Sequence, residues 1–158
     1  MAKLILLGRA SCSQEEKFFI QNLSRRFSLS AQPDSDAKIY LAQTGRSSLS
    51  DLQLPKQAMV IVNAEDRSIL YQLAQIGAQA ITCGLSCKDT FTFSSKSEEN
   101  AVVSLMRAIP NTAGRILEPM DIPVVFPQGI PDYPLLACTA ALILAGVTGD
   151  KTIKFFQS

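Results

Sequence analysis

Short apolar runs, each closed by a turn-forming residue, dominate the first half of the chain, and segments with helical spacing separate them. Lys3-Leu4-Ile5-Leu6-Leu7 runs into Gly8, the pattern of a strand covered on both faces. Ser13 followed by Glu16 matches a capping box, and Phe19, Ile20, Leu23 and Phe27 then share one helical face. Ser28 to Asp36 is polar, contains Pro33 and reads as a loop. Lys38 to Ala42 is the next strand, Gln43 to Ser48 a loop at its end, and Met59-Val60-Ile61-Val62 a third strand that stops in the polar turn Asn63 to Asp66. Arg67 to Ile76 places Ile69, Leu70, Leu73 and Ile76 on one face, with Gly77 at the position where a helix end requires φ > 0. Gln79 to Cys83 is the following strand.

The second half changes rhythm. Thr90 to Ser94 alternates with period two, and Ala101 to Met106, Gly114 to Leu117 and Ile122 to Phe126 are further extended segments with Pro119 and Pro123 among them. No helical pattern separates these segments, so they are expected to pair antiparallel. Pro127, Gly129, Pro131 and Pro134 form a rigid lead into an apolar helix from Tyr133 to Ala145. The expected class is α/β, a Rossmann-like three-layer sandwich. Its sheet is parallel in the first half, helices lie on its faces, and an antiparallel extension occupies one edge. At 158 residues the chain is expected to form one domain spanning 1–158.

Composition narrows the function classes. Hydrophobic residues make up 47%, charged residues 18%, and the formal net charge is +1, which argues against disorder and against a basic nucleic-acid binder. The apolar run Leu135 to Val147 falls short of the ~20 residues that span a bilayer, and Met1 to Gly8 is too weakly apolar for a signal peptide. The expectation is a cytoplasmic protein with neither membrane nor nucleic acid as a partner. Four cysteines, Cys12, Cys83, Cys87 and Cys138, are expected as reduced thiols. With no histidine in the chain, ligands for a metal run short, and every mechanism with histidine as general base is removed. No metal and no cofactor is expected.

The candidate site residues lie at strand ends, where open α/β sheets form their ligand crevice. Arg9, Ser11 and Ser13 lie between a strand and a helix N-terminus and could hold an anion, although capping alone accounts for the serines. Asn63, Glu65 and Asp66 could bind a cation or a ribose, against the simpler reading of an Asx turn with Asp66 as helix cap. Cys83 and Cys87 flank Gly84 and could form a redox pair, against the simpler reading of two inert thiols.

The segment "VIVNAEDRSILYQLAQIGAQAITCGLS", followed by "DTFTFSS", two further strands and "VVFPQGIPDYPLLACTAALILAGV", resembles the C-terminal half of the central ATPase domain of Mur ligases, the amino-acid ligases of peptidoglycan precursors. In that family the first strand runs into a glycine-lysine-threonine phosphate loop. Here the matching stretch, Leu7 to Ser13, has one glycine and no lysine. Cradling phosphates requires consecutive backbone N–H groups with glycine freedom and a lysine on the outer phosphates. The family's magnesium ligands and modified lysine fall outside this pattern, and Tyr133 to Ala137 stands where an asparagine would meet adenine. The resemblance thus implies a degenerate domain that has lost ligase activity, and no catalytic residue carries over.

Three functions follow as expectations. The leading one is a non-catalytic interaction or scaffold protein, with a homodimer or an unidentified protein partner in cell-envelope or division metabolism. The second is a regulator that binds a small ligand or nucleotide in the crevice formed by Gly8 to Ser13, Gln43 to Arg46 and Asn63 to Asp66. The third is an enzyme that works through Glu65, Asp66 or Cys83, and the lack of histidine weighs against it.

Overall fold

The strand runs predicted for the first half recur in the computed structural model, which describes residues 2–8, 13–45, 49, 53–147 and 150–157. β1 (Ala2–Leu7), β3 (Ile39–Ala42), β4 (Met59–Asn63) and β5 (Gln79–Cys83) are parallel neighbours in a sheet that β2 (Phe27–Ser30) completes at one edge. Alternation along these strands divides the core into two halves. Leu4, Leu6, Ile39, Leu41 and Ile61 face one way, Ile5, Leu7, Tyr40, Val60 and Val62 the other, and all are buried. Both faces of this part of the sheet are therefore covered, as continuous apolar strands require.

The first face packs against α1 (Gln14–Leu23) and α3 (Asp132–Leu144), the second against α2 (Arg67–Ile76). These are the three layers expected from the sequence. Ile69 and Leu73 anchor α2, and its end is fixed by Gly77 at φ 71°, whose N–H donates to the carbonyls of Ala74 and Leu73. α3 is apolar all round, and every residue from Tyr133 to Leu144 is buried. A helix of that composition is stable only inside a core, here between the sheet and α1. Within the helix, Thr139 Oγ1 donates to Leu135 O at 2.7 Å, so burial leaves it satisfied.

Beyond β5 the sheet continues through β6 (Phe91–Lys96), β7 (Asn100–Leu105), β10 (Met120–Val125) and β11 (Ile153–Lys154). β7 runs antiparallel to both of its neighbours, while β6, β10 and β11 keep the direction of the parallel half. The extension is thus made by one reversed strand. β5 and β6 share a single register pair, Cys83 with Phe91, because β6 begins where β5 ends and needs no long crossover. β8 (Ile109–Pro110) and β9 (Ile116–Leu117) form a separate small hairpin, beside which Thr112 N donates to Leu144 O at the end of α3.

Three expectations are corrected here. α1 ends at Leu23, so Phe27 belongs to β2 and not to the helix, and residues 28–30 are strand and not loop. Phe18, not Ile20, completes the buried face of α1, and Ile20 is exposed. In the capping box only one half forms. Glu16 N donates to Ser13 Oγ at 3.1 Å, but Glu16 Oε2 is buried with no partner among the described residues.

Residues after β11 cross to α1. Phe155 N donates to Val125 O, and the Asn22 side chain holds Phe156 at both its backbone groups, accepting from Phe156 N at 2.8 Å and donating to Phe156 O at 2.9 Å. One amide thereby serves as a short imitation of a strand neighbour, and Phe155 is seated against Phe18 with ring centroids 5.8 Å apart.

Candidate functional site

The C-terminal ends of β3, β4 and β5 open into a cleft of about 500 Å³ between the N-termini of α1 and α3. Ser13, Glu15, Thr44, Asn63, Glu65 and Tyr133 line it, together with Cys83, Gly84 and Leu85 after β5. Its position is the one that the strand-end rule for open α/β sheets assigns to ligands. Of the residues singled out from sequence, Ser13, Asn63 and Glu65 meet in this cleft. Asp66 is next to it as the N-cap of α2, and Arg9 and Ser11 lie outside the described residues, as does Cys12.

Most of the polar groups here hold the local fold. Ser13 caps α1, and Asn63 Oδ1 accepts from Glu65 N at 3.0 Å in an Asx turn. Asp66 Oδ1 accepts from Ile69 N at 3.3 Å to cap α2. Sequence reasoning missed Glu15, whose carboxylate accepts from Thr44 N at 2.8 Å and from Thr44 Oγ1 at 2.6 Å and so ties the loop after β3 to α1. It also missed Asp132, in the first turn of α3 and ion-paired with Lys96. Glu65 is exposed at the rim. Among the described lining residues there are three carboxylates and neither lysine nor arginine, and among all described residues no group of three or more cysteines and carboxylates is placed to hold a metal ion.

Tyr133 forms the floor. Its hydroxyl donates to Ala42 O at 2.5 Å, and its ring meets Phe19 edge-on. Burial pushes the phenol well above its ordinary value, with the nearby Cys83, Glu15 and Cys138 acting in the same direction. Tyr133→Phe keeps the ring but leaves the Ala42 carbonyl without its donor in a dry setting. A loss of about 1–3 kcal/mol in urea unfolding is expected, and an unchanged midpoint would rule out this tie.

Cys83 is buried at the end of β5 whereas Cys87 is exposed on the following turn, so one partner of the supposed redox pair is sealed from reagents. Burial also drives the Cys83 thiol strongly upward, the reverse of the activation a redox thiol requires. Gly84, between them, has the least room for a side chain among the described glycines. A Cβ there would lie 2.8 Å from Ala64 Cβ and 3.0 Å from Asp89 Cγ. Asp89 is itself fixed, accepting from Ser86 N at 3.0 Å.

No family model matches the chain, and no curated protein does. Among solved structures, the crystal structure of MurF from Acinetobacter baumannii has a similar fold at a TM-score of 0.51 and 13% identity. The likeness covers 93% of this chain and 43% of MurF, so the chain spans less than half the length of that ligase. At this identity the likeness is one of fold, and the nine-stranded sheet with helices on its faces is a Mur-ligase-like α/β fold.

Proposed function

We propose that this chain is a non-catalytic interaction module, a degenerate Mur-ligase-like α/β domain whose strand-end cleft no longer takes a nucleotide. The supporting observation is how its polar groups are employed. Ser13, Glu15, Asn63 and Asp66 each hold a helix end or a loop of the protein's own backbone. The stretch after β1 has no lysine to place on a phosphate, and the cleft carries carboxylates instead. Leu85 beside the cleft, and Tyr71 and Ile76 on α2, are large exposed apolar side chains that would serve as anchors for a second copy or for another protein.

The second reading, a small-ligand regulator, draws support from α3. Its N-cap Pro131 makes no side-chain cap hydrogen bond, and the first turn of this helix lines the cleft. Titration of isotopically labelled protein with ATP and magnesium separates the two. On the leading reading the amide signals of Ser13, Thr44, Asn63, Glu65 and Gly84 stay in place. Saturable movement of those signals would overturn it in favour of the regulator.

A further inference from the structure

A second, larger cleft of about 800 Å³ lies at the opposite ends of α1 and α3, away from the strand-end site. Arg25 and Arg26, in the turn between α1 and β2, line it on one side, and Lys151, just before β11, and Lys154, within β11, on the other. These two segments are distant in sequence and are joined by the Asn22 clamp on Phe156. No carboxylate lines the cleft among the described residues, and Asp150, next to Lys151 in sequence, is not part of its wall. None of the four cations makes an ion pair or a side-chain hydrogen bond with another described residue. By contrast, Lys3 pairs with Asp34, Lys96 with Asp132, and Lys38 donates to Thr112 O.

The bland account is that cations gather at helix C-termini to offset the dipole. Two helix ends present roughly half a negative charge each, about one in total, against four positive side chains. Most of the positive charge lining the cleft is therefore without an ion-pair partner among the described residues. The remaining wall is mixed, with Gln21, Asn22, Thr152 and Gln157 beside apolar side chains. Leu142, Val147 and Ile153 form part of it, and the Phe156 ring stands 54% exposed at its edge.

We propose that this cleft is a binding site for a phosphate group carried on a small aromatic or apolar body. Paired guanidinium groups match phosphate oxygens with two donors each, the lysines add point charge, and Phe156 offers a ring face to the carrier. The volume lies within the range of pockets that enclose small organic ligands.

The test is titration of labelled full-length protein with phenyl phosphate and, separately, inorganic phosphate. Phenyl phosphate is expected to bind more tightly, with shifts centred on Asn22, Arg25, Lys154 and Phe156. R25Q/R26Q is expected to weaken both probes by about tenfold or more, since charge-assisted bonds are lost. F156A is expected to erase the advantage of phenyl phosphate while binding of phosphate persists. These are surface changes, and an unaltered amide spectrum away from the cleft shows that each variant is folded. Equal binding by the arginine variant and the parent protein would overturn the proposal, as would shifts confined to Ser13 and Asn63. A hexaglutamate peptide that outcompetes phenyl phosphate would reassign the cleft to an acidic protein segment. Retention on phosphatidic acid vesicles without any response to the soluble probes would reassign it to a lipid headgroup.

Discussion

Gly84→Ala is expected to destabilise the fold by about 2–3 kcal/mol, because a methyl group is forced into a space already filled. For a chain of this length that corresponds to a drop in melting temperature on the order of 5–10 °C. The cause is steric, since the added Cβ would meet Ala64 and the Asp89 carboxylate together. Neither neighbour can yield cheaply. Ala64 is anchored by its N–H to Cys83 O at 2.9 Å, and Asp89 by its bond from Ser86 N. Gly114→Ala is the matched control. There a Cβ meets nothing within 4 Å and the only cost is the left-handed backbone at φ 80°, about 1 kcal/mol. Equal melting temperatures for the two variants would show that the contact at Gly84 relaxes at little cost.

Alkaline conditions are expected to unfold the protein steeply. Cys83, Cys138 and Tyr133 are fully buried, and burial raises each above its ordinary value of 9.0 for the thiols and 10.0 for the phenol. In the unfolded chain these groups release protons near those ordinary values, while the folded protein retains them. The unfolded state then binds fewer protons, so stability falls as pH rises. Their contribution is fully present below about pH 8.5 and is lost above it. With two thiols titrating, the slope approaches about 2.7 kcal/mol per pH unit, and with the phenol added about 4. Urea midpoints measured from pH 7 to 10.5 check this, and a flat profile to pH 10 would contradict it. Cys138→Ala should reduce the slope by about one third, whatever it does to stability at neutral pH.

Local chemistry and the broad parallel and antiparallel layout were legible in the sequence, and individual contacts between distant segments were not. Ser13, Asn63 and Asp66 could be read as caps and turns because a cap needs only a side chain and an N–H two or three residues on. α2 matched its predicted bounds, since its apolar spacing and Gly77 agree. β2 was hidden because Phe27 continues the helical spacing of Phe19 and Leu23, and nothing local reports that β1 will take a neighbour on that side. β11 escaped notice because two residues paired to Val124 and Val125 carry no period. At the cleft, Glu15 with Thr44 and Tyr133 with Ala42 depend on contacts between segments far apart in the chain. Asp89, three residues after Ser86 in the turn after β5, was a local signal that could have revealed how tightly Gly84 is held.

The seam between β5 and β6 is narrow, one ladder pair wide and reinforced by Thr82 and Thr90, which exchange backbone-to-hydroxyl hydrogen bonds. α3 lies across it, touching β3, β4 and β5 on one side and β6 on the other, with Tyr133 to Leu144 all buried. The helix acts as a splint, because bending at the seam would draw those side chains into water. The strand ends on which the cleft is built therefore keep fixed spacings. Whatever docks there meets a surface already in its binding shape and loses little freedom to induced ordering of the protein.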